Sequence, residues 1–116
     1  MKKGSQSFPV IDVELKGKNK TLIVKALVDS GATFSIFRPE IANYLGIEIE
    51  KGKPIYLEGI GGRILGYMHT LPLRLGEKSF TCKIVFSHEF TISFNILGRD
   101  NFFFRLQSVL LRKLRK

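Results

Sequence analysis

Ala26-Leu27-Val28-Asp29-Ser30-Gly31-Ala32 places an acid at the end of an apolar strand, with a glycine two residues after it. A carboxylate leaving such a strand is costly unless it is hydrogen-bonded, and the backbone amides of a tight turn through Gly31 are suited to supply those bonds. The Ser30 hydroxyl adds a further partner. By itself Asp-Ser-Gly is ordinary turn chemistry, so its meaning depends on the chain around it.

Upstream, Ile11, Val13 and Leu15 share one face of a first strand, Gly17-Lys18-Asn19-Lys20 reads as a turn, and Leu22, Val24, Ala26 and Val28 line one side of a second strand. The two form a hairpin that ends on Asp29. Downstream, Thr33 to Phe37 is β-prone. Pro39 suits the first turn of a short helix through about Leu45, closed by Gly46.

A strand from Pro54 to Ile60, a tip at Gly59-Ile60-Gly61-Gly62 and a return from Ile64 to Leu75 make a long hairpin. Gly76-Glu77-Lys78 turns the chain into Phe80 to Phe86, and a last buried strand is expected over Ile92 to Leu97, broken by Gly98. Asn101 to Arg105 suits a helical turn. Leu106 to Leu114 fits both a strand and an amphipathic helix. Short alternating segments outnumber helical ones, so the fold class is all-β, with one or two short helices.

A chain of 116 residues, 44% hydrophobic, is expected to form a single domain over 1–116. Cys82 is the only cysteine, which excludes an intrachain disulfide and, with no Cys/His cluster, a structural zinc site. The basic opening Met1-Lys2-Lys3 is not followed by a long apolar run, so neither a signal peptide nor a membrane span is expected, and a cytoplasmic location is. The net charge of +9 gathers in Lys16, Lys18 and Lys20 and in a basic tail over about 106–116. A solvated face explains it more simply than nucleic-acid or membrane contact by the tail, since no nucleic-acid motif accompanies it.

Two further stretches give the Asp-Ser-Gly turn its context. Phe94-Asn95-Ile96-Leu97-Gly98-Arg99-Asp100 is an apolar strand ending in a glycine and a charged pair, its glycine 69 positions beyond Asp29, and the glycine-rich tip lies about midway between the two. In this order, from Phe8 to about Arg105, the chain resembles the retropepsin-like aspartic peptidases, the single-domain relatives of pepsin that include retroviral proteases. The most specific parts are Val28-Asp29-Ser30-Gly31-Ala32 and Ile96-Leu97-Gly98-Arg99-Asp100.

The resemblance implies a closed β barrel, the half of an acid protease, with a flap hairpin. It implies that Asp29 is catalytic, that Ser30 braces the paired turns across a dimer, and that Gly31 lends its backbone to bound peptide, with Ala32 completing the turn. Gly59, Ile60, Gly61 and Gly62 would be the flap over the substrate. Ile96-Leu97-Gly98 would pack beneath the catalytic turn and Arg99, followed by Asp100, would make a structural ion pair.

The implied activity is that of an aspartic endopeptidase acting on peptide or protein substrates without metal or other cofactor. Two carboxylates sharing a proton are needed, and a chain with one such motif gains the second by forming a homodimer about a two-fold axis. The alternative is a catalytically inactive module of the same fold that binds peptides or a protein partner. The chain departs from retroviral relatives in its basic, leucine-containing tail and in the short helix near Pro39. His69 and His88 have no Cys nucleophile or carboxylate partner at a recognisable spacing and read as structural or surface residues, and Cys82 reads as a small buried apolar residue rather than a reactive thiol.

Overall fold

The computed structural model describes residues 9–29, 31–59 and 62–99. The helical turn expected over 101–105 and the basic tail lie outside them. Strands β1 (Val10–Lys16) and β2 (Thr21–Val28) pair antiparallel from Val10↔Leu27 to Lys16↔Thr21. The turn between them closes with Gly17 N–H donating to Lys20 O at 2.8 Å. Alternation turns Val13, Leu15, Ala26 and Val28 into the core.

After β3 (Ser35–Phe37), helix α1 (Pro39–Leu45) starts with proline in its first turn, where no intrahelical N–H is needed. It buries Ile41, Ala42 and Leu45 and ends at Gly46, whose φ of 76° is the left-handed conformation that glycine adopts without strain. A 3₁₀ turn over Ile49–Lys51 follows. It is not foreseen from the sequence, because one buried residue, Ile49, gives no period to read.

Strands β4 (Lys53–Gly59) and β5 (Gly62–Leu75) form the long hairpin, paired from Lys53↔Met68 to Gly59↔Gly62. β6 (Lys78–Phe86) then runs back along β5 from Leu75↔Lys78 to Tyr67↔Phe86. The last described strand is β7 (Asn95–Leu97).

The order β1-β2-β7-β3-β6-β5 closes on itself through Glu14↔Arg74 and Leu15↔Leu73, giving a closed barrel of six strands with β4 outside the ring, carried by β5. β7 lies parallel to β2 and β3 parallel to β6. Inside the ring, Phe37, Phe86, Leu15 and Leu97 have lost all contact with solvent, each contributing about 1.5–3 kcal/mol by burial.

The expected strand over Ile92 to Leu97 is shorter than its apolar pattern suggests. Ile92 and Phe94 are 44% and 45% exposed, whereas Asn95 and Leu97 are buried. The core takes the parity that contains the polar residue. It does so because the Asn95 amide is satisfied there, Oδ1 accepting from Arg38 N–H and Nδ2 donating to Lys25 O, both at 2.9 Å.

Candidate active site

Asp29 follows the buried Val28 at the end of β2, and its N–H donates to Leu97 O at 2.9 Å, so the β2–β7 ladder continues one rung beyond the strand. The chain then turns sharply: Ala32 N–H donates to Asp29 O at 3.1 Å, and Gly31 N–H donates to the carboxylate Oδ1 at 2.9 Å. The side chain is half-buried. A charge-assisted bond from a backbone amide fixes the orientation of an acid better than a flexible side-chain donor would. The sheet and the turn thus hold one carboxylate at the end of β2.

β7 reaches this turn from the other side. Gly98 N–H donates to the fully buried Ser35 hydroxyl at 3.0 Å, and Arg99 N–H donates to Ala32 O at 2.6 Å. A Cβ on residue 98 would stand 2.3 Å from Phe34 O and 2.7 Å from Ala32 O, closer than a side-chain carbon approaches a backbone oxygen, so this crossing is open only to glycine. The structure therefore brings together Asp29, Gly31, Ala32, Gly98 and Arg99. Arg99 joins through its backbone, and its side chain is exposed.

Gly59 and Gly62 belong to a separate element, the last described rung of the β4–β5 hairpin. Gly62 has φ 113°, a conformation that side chains rarely adopt. Ser30, Ile60, Gly61 and Asp100 lie outside the described residues.

Ser35 and Asn95 are residues that sequence reasoning misses. Ser35 holds the Gly98 amide, and Asn95 ties β7 to Lys25 and to the entry of α1 at Arg38. The available signal is a polar residue within an apolar run, Asn95 between Phe94 and Ile96, which must find partners if buried.

The other titratable groups named from sequence stand apart. His69 Nε2 donates to Ile49 O at 2.9 Å, and its ring packs edge-on against Phe86. His88 meets Glu50 at 2.7 Å on the surface. The Glu50 carboxyl is held below the usual carboxylate range, first by its own backbone N–H and then by His88. Lys51 beside Glu48 lowers that carboxyl through a side-chain hydrogen bond and is itself raised. Pairs as exposed as these contribute little to stability. Among the described residues no three His, Cys, Asp or Glu side chains gather as metal ligands would, and Cys82 is a buried apolar residue of β6.

Residues 11–100 match a protein family described as aspartyl protease. Over 82 residues the chain is 39% identical to DNA damage-inducible protein 1 of Neurospora crassa and 37% identical to DNA damage-inducible protein 1 of Cryptococcus neoformans var. neoformans serotype D. The matched stretch is 68% of this chain and 18% of each relative, so the chain spans less than a fifth of the length of these proteins. The family match runs from within β1 to just past Arg99 and takes in all the strands that close the barrel; by it this chain belongs to the aspartyl protease family, in its retropepsin-like form.

Proposed function

We propose that the chain is one subunit of a homodimeric aspartic endopeptidase, in which Asp29 and its symmetry copy activate the water that hydrolyses a peptide bond. The observation that carries this reading is the half-buried Asp29 carboxylate, held at the end of a barrel strand by the Gly31 amide at 2.9 Å. The other two aspartates of the sequence, Asp12 and Asp100, stand in no Asp-Ser/Thr-Gly motif. One chain therefore supplies half of the pair.

A two-fold axis past the turn supplies the other half. Two carboxylates a few ångströms apart do not both ionise, so they hold one proton between them. The ionised acid takes a proton from water as the oxygen attacks the peptide carbonyl, while the protonated acid donates to the carbonyl oxygen. A tetrahedral diol results. Its collapse passes a proton to the departing amine and breaks the C–N bond, with the carboxylates back in their starting balance. Such acid–base assistance contributes on the order of 10²–10⁴-fold in rate, and it favours neutral to acidic pH.

In this reading the substrate lies extended, as an added strand does, with backbone groups of the Gly31 turn beside it. The β4–β5 hairpin is the flap, and Gly59 to Gly62 form the tip that closes over the peptide. Ser30 and Arg99 brace the turn rather than react.

Dilution tests the reading, because only the dimer holds a complete site. Specific activity on an unfolded protein substrate is expected to be constant at high concentration and to fall in proportion to concentration below the dimer dissociation constant. Sedimentation over the same range should show two chains separating. Cleavage that keeps its specific activity in a preparation sedimenting as single chains rejects the homodimer.

A further inference from the structure

The hairpin leaves the barrel at a place where an ordinary ladder ends and an unusual one replaces it. β5 and β6 pair as far as Tyr67↔Phe86. Two residues further along β5, Leu65 again directs its N–H and C=O to the β6 side, since backbone groups point to one edge at every second residue of a strand. Continued register would place His88 opposite Leu65, but the chain has already turned away, with Phe90 N–H donating to Ser87 O at 3.2 Å and His88 held by Glu50 at 2.7 Å.

The residues on either side of His88 fill the gap with their side chains. The Ser87 hydroxyl donates to Leu65 O at 2.6 Å, and Leu65 N–H donates to Glu89 Oε1 at 3.1 Å. Ser87 Oγ also accepts Glu89 N–H at 3.1 Å, so one oxygen ties the turn to itself and to the strand. Both backbone groups of Leu65 are thereby paired, one of them by a fully buried hydroxyl. Next along the strand, Gly66 is packed so closely that a Cβ there would lie 2.5 Å from Val85 Cγ1. The arm is gripped at Leu65 and Gly66 and extends beyond them as a two-stranded ribbon, β4 on β5.

We propose that the Ser87–Glu89 turn is the catch at the base of the β4–β5 arm, and that Ser87 and Glu89 are positioning residues that set how far the arm stands from the site it closes. The proposal rests on the reading of that arm as the flap of a peptidase. A ribbon clamped by two side-chain bonds swings about them, so the bonds set the population of arms ready to close. Weakening the catch makes the substrate's binding energy do the closing. The cost then falls on KM, while the site once closed turns over as before.

Glu89 offers the cleaner test because it is exposed and acts through a single accepting oxygen. Glu89→Ala is expected to speed hydrogen exchange at the Leu65 amide about tenfold, with the barrel amide of Val85 unchanged. The same variant should raise KM for an extended peptide about three- to tenfold while kcat stays within about twofold. Glu89→Gln keeps an accepting oxygen and should restore both values, whereas Ser87→Ala should show the same split more strongly if it folds. Unchanged Leu65 exchange and KM in Glu89→Ala, or a glutamine variant that behaves like alanine, overturns the proposal. A wild-type chain that cleaves no peptide defeats the peptidase reading instead, and the exchange rates then decide the catch alone.

Discussion

Asp29→Asn is expected to lower kcat on any peptide substrate by at least about 10³-fold while leaving the melting temperature within a few degrees of the parent. The two halves of this expectation have separate causes. Asparagine keeps an oxygen where Gly31 N–H donates at 2.9 Å, and the bonds from Asp29 N–H to Leu97 O and from Ala32 N–H to Asp29 O are made by backbone. The turn therefore survives. An amide, however, can neither take a proton from water nor share one with its symmetry copy. Far-ultraviolet circular dichroism and thermal melts would check the fold, and progress curves at several pH values the activity. Wild-type-like cleavage by the variant would reject the assignment of Asp29. No cleavage by the parent chain under any of these conditions would favour a peptide-binding module on the same fold.

The second large effect falls on folding. Gly98→Ala is expected to destabilise the barrel by about 4 kcal/mol or more, enough to leave most chains unfolded or aggregated. The added methyl would meet Phe34 O at 2.3 Å and Ala32 O at 2.7 Å. Both are backbone atoms, and neither can swing aside as a side chain would. Moving them apart also breaks Gly98 N–H to Ser35 Oγ and Arg99 N–H to Ala32 O, which join β7 to the turn after β2. Gly76→Ala is the control. Gly76 has φ 60° and open space around its Cα, so alanine there costs only backbone strain, about 1 kcal/mol. Denaturant melts of the two variants would separate steric exclusion from lost conformational freedom. Equal midpoints would contradict the close crossing at residue 98.

Hairpins and the helix are legible in the sequence because their causes are local. Alternation marks β1 and β2, Gly17 to Lys20 marks their turn, and Pro39 and Gly46 bracket α1. The barrel's closure is not local. The β2–β7 and β3–β6 pairings are parallel and join distant stretches, and β1 meets β5 through only Glu14↔Arg74 and Leu15↔Leu73. Nothing in the residues around Leu15 names Leu73 as their neighbour. A likeness to a known family supplies that closure where periodicity cannot.

The candidate site divides the same way. Asp29, Gly31 and Gly98 announce themselves as an acid in a turn and a glycine after an apolar run. Ser35, Asn95, Ser87 and Glu89 do not, since a single polar side chain carries no sign of which backbone group it will satisfy. The apolar run into β7 misleads for a related reason: Phe94 and Ile92 look like core, yet hydrogen bonds from Asn95 turn the opposite parity inward. Apolar residues alone do not say which face is buried.

The central claim is that a single Asp29 is catalytically incomplete, and mixing parent chains with Asp29→Asn chains tests it most directly. After subunits have exchanged at a fixed total concentration well above the dimer dissociation constant, activity is expected to follow the square of the parent fraction. An equal mixture would then retain about one quarter of the parent activity, since only dimers with two intact carboxylates cleave. Activity that falls in simple proportion, to about one half in the equal mixture, would mean that each subunit works alone and would contradict the account.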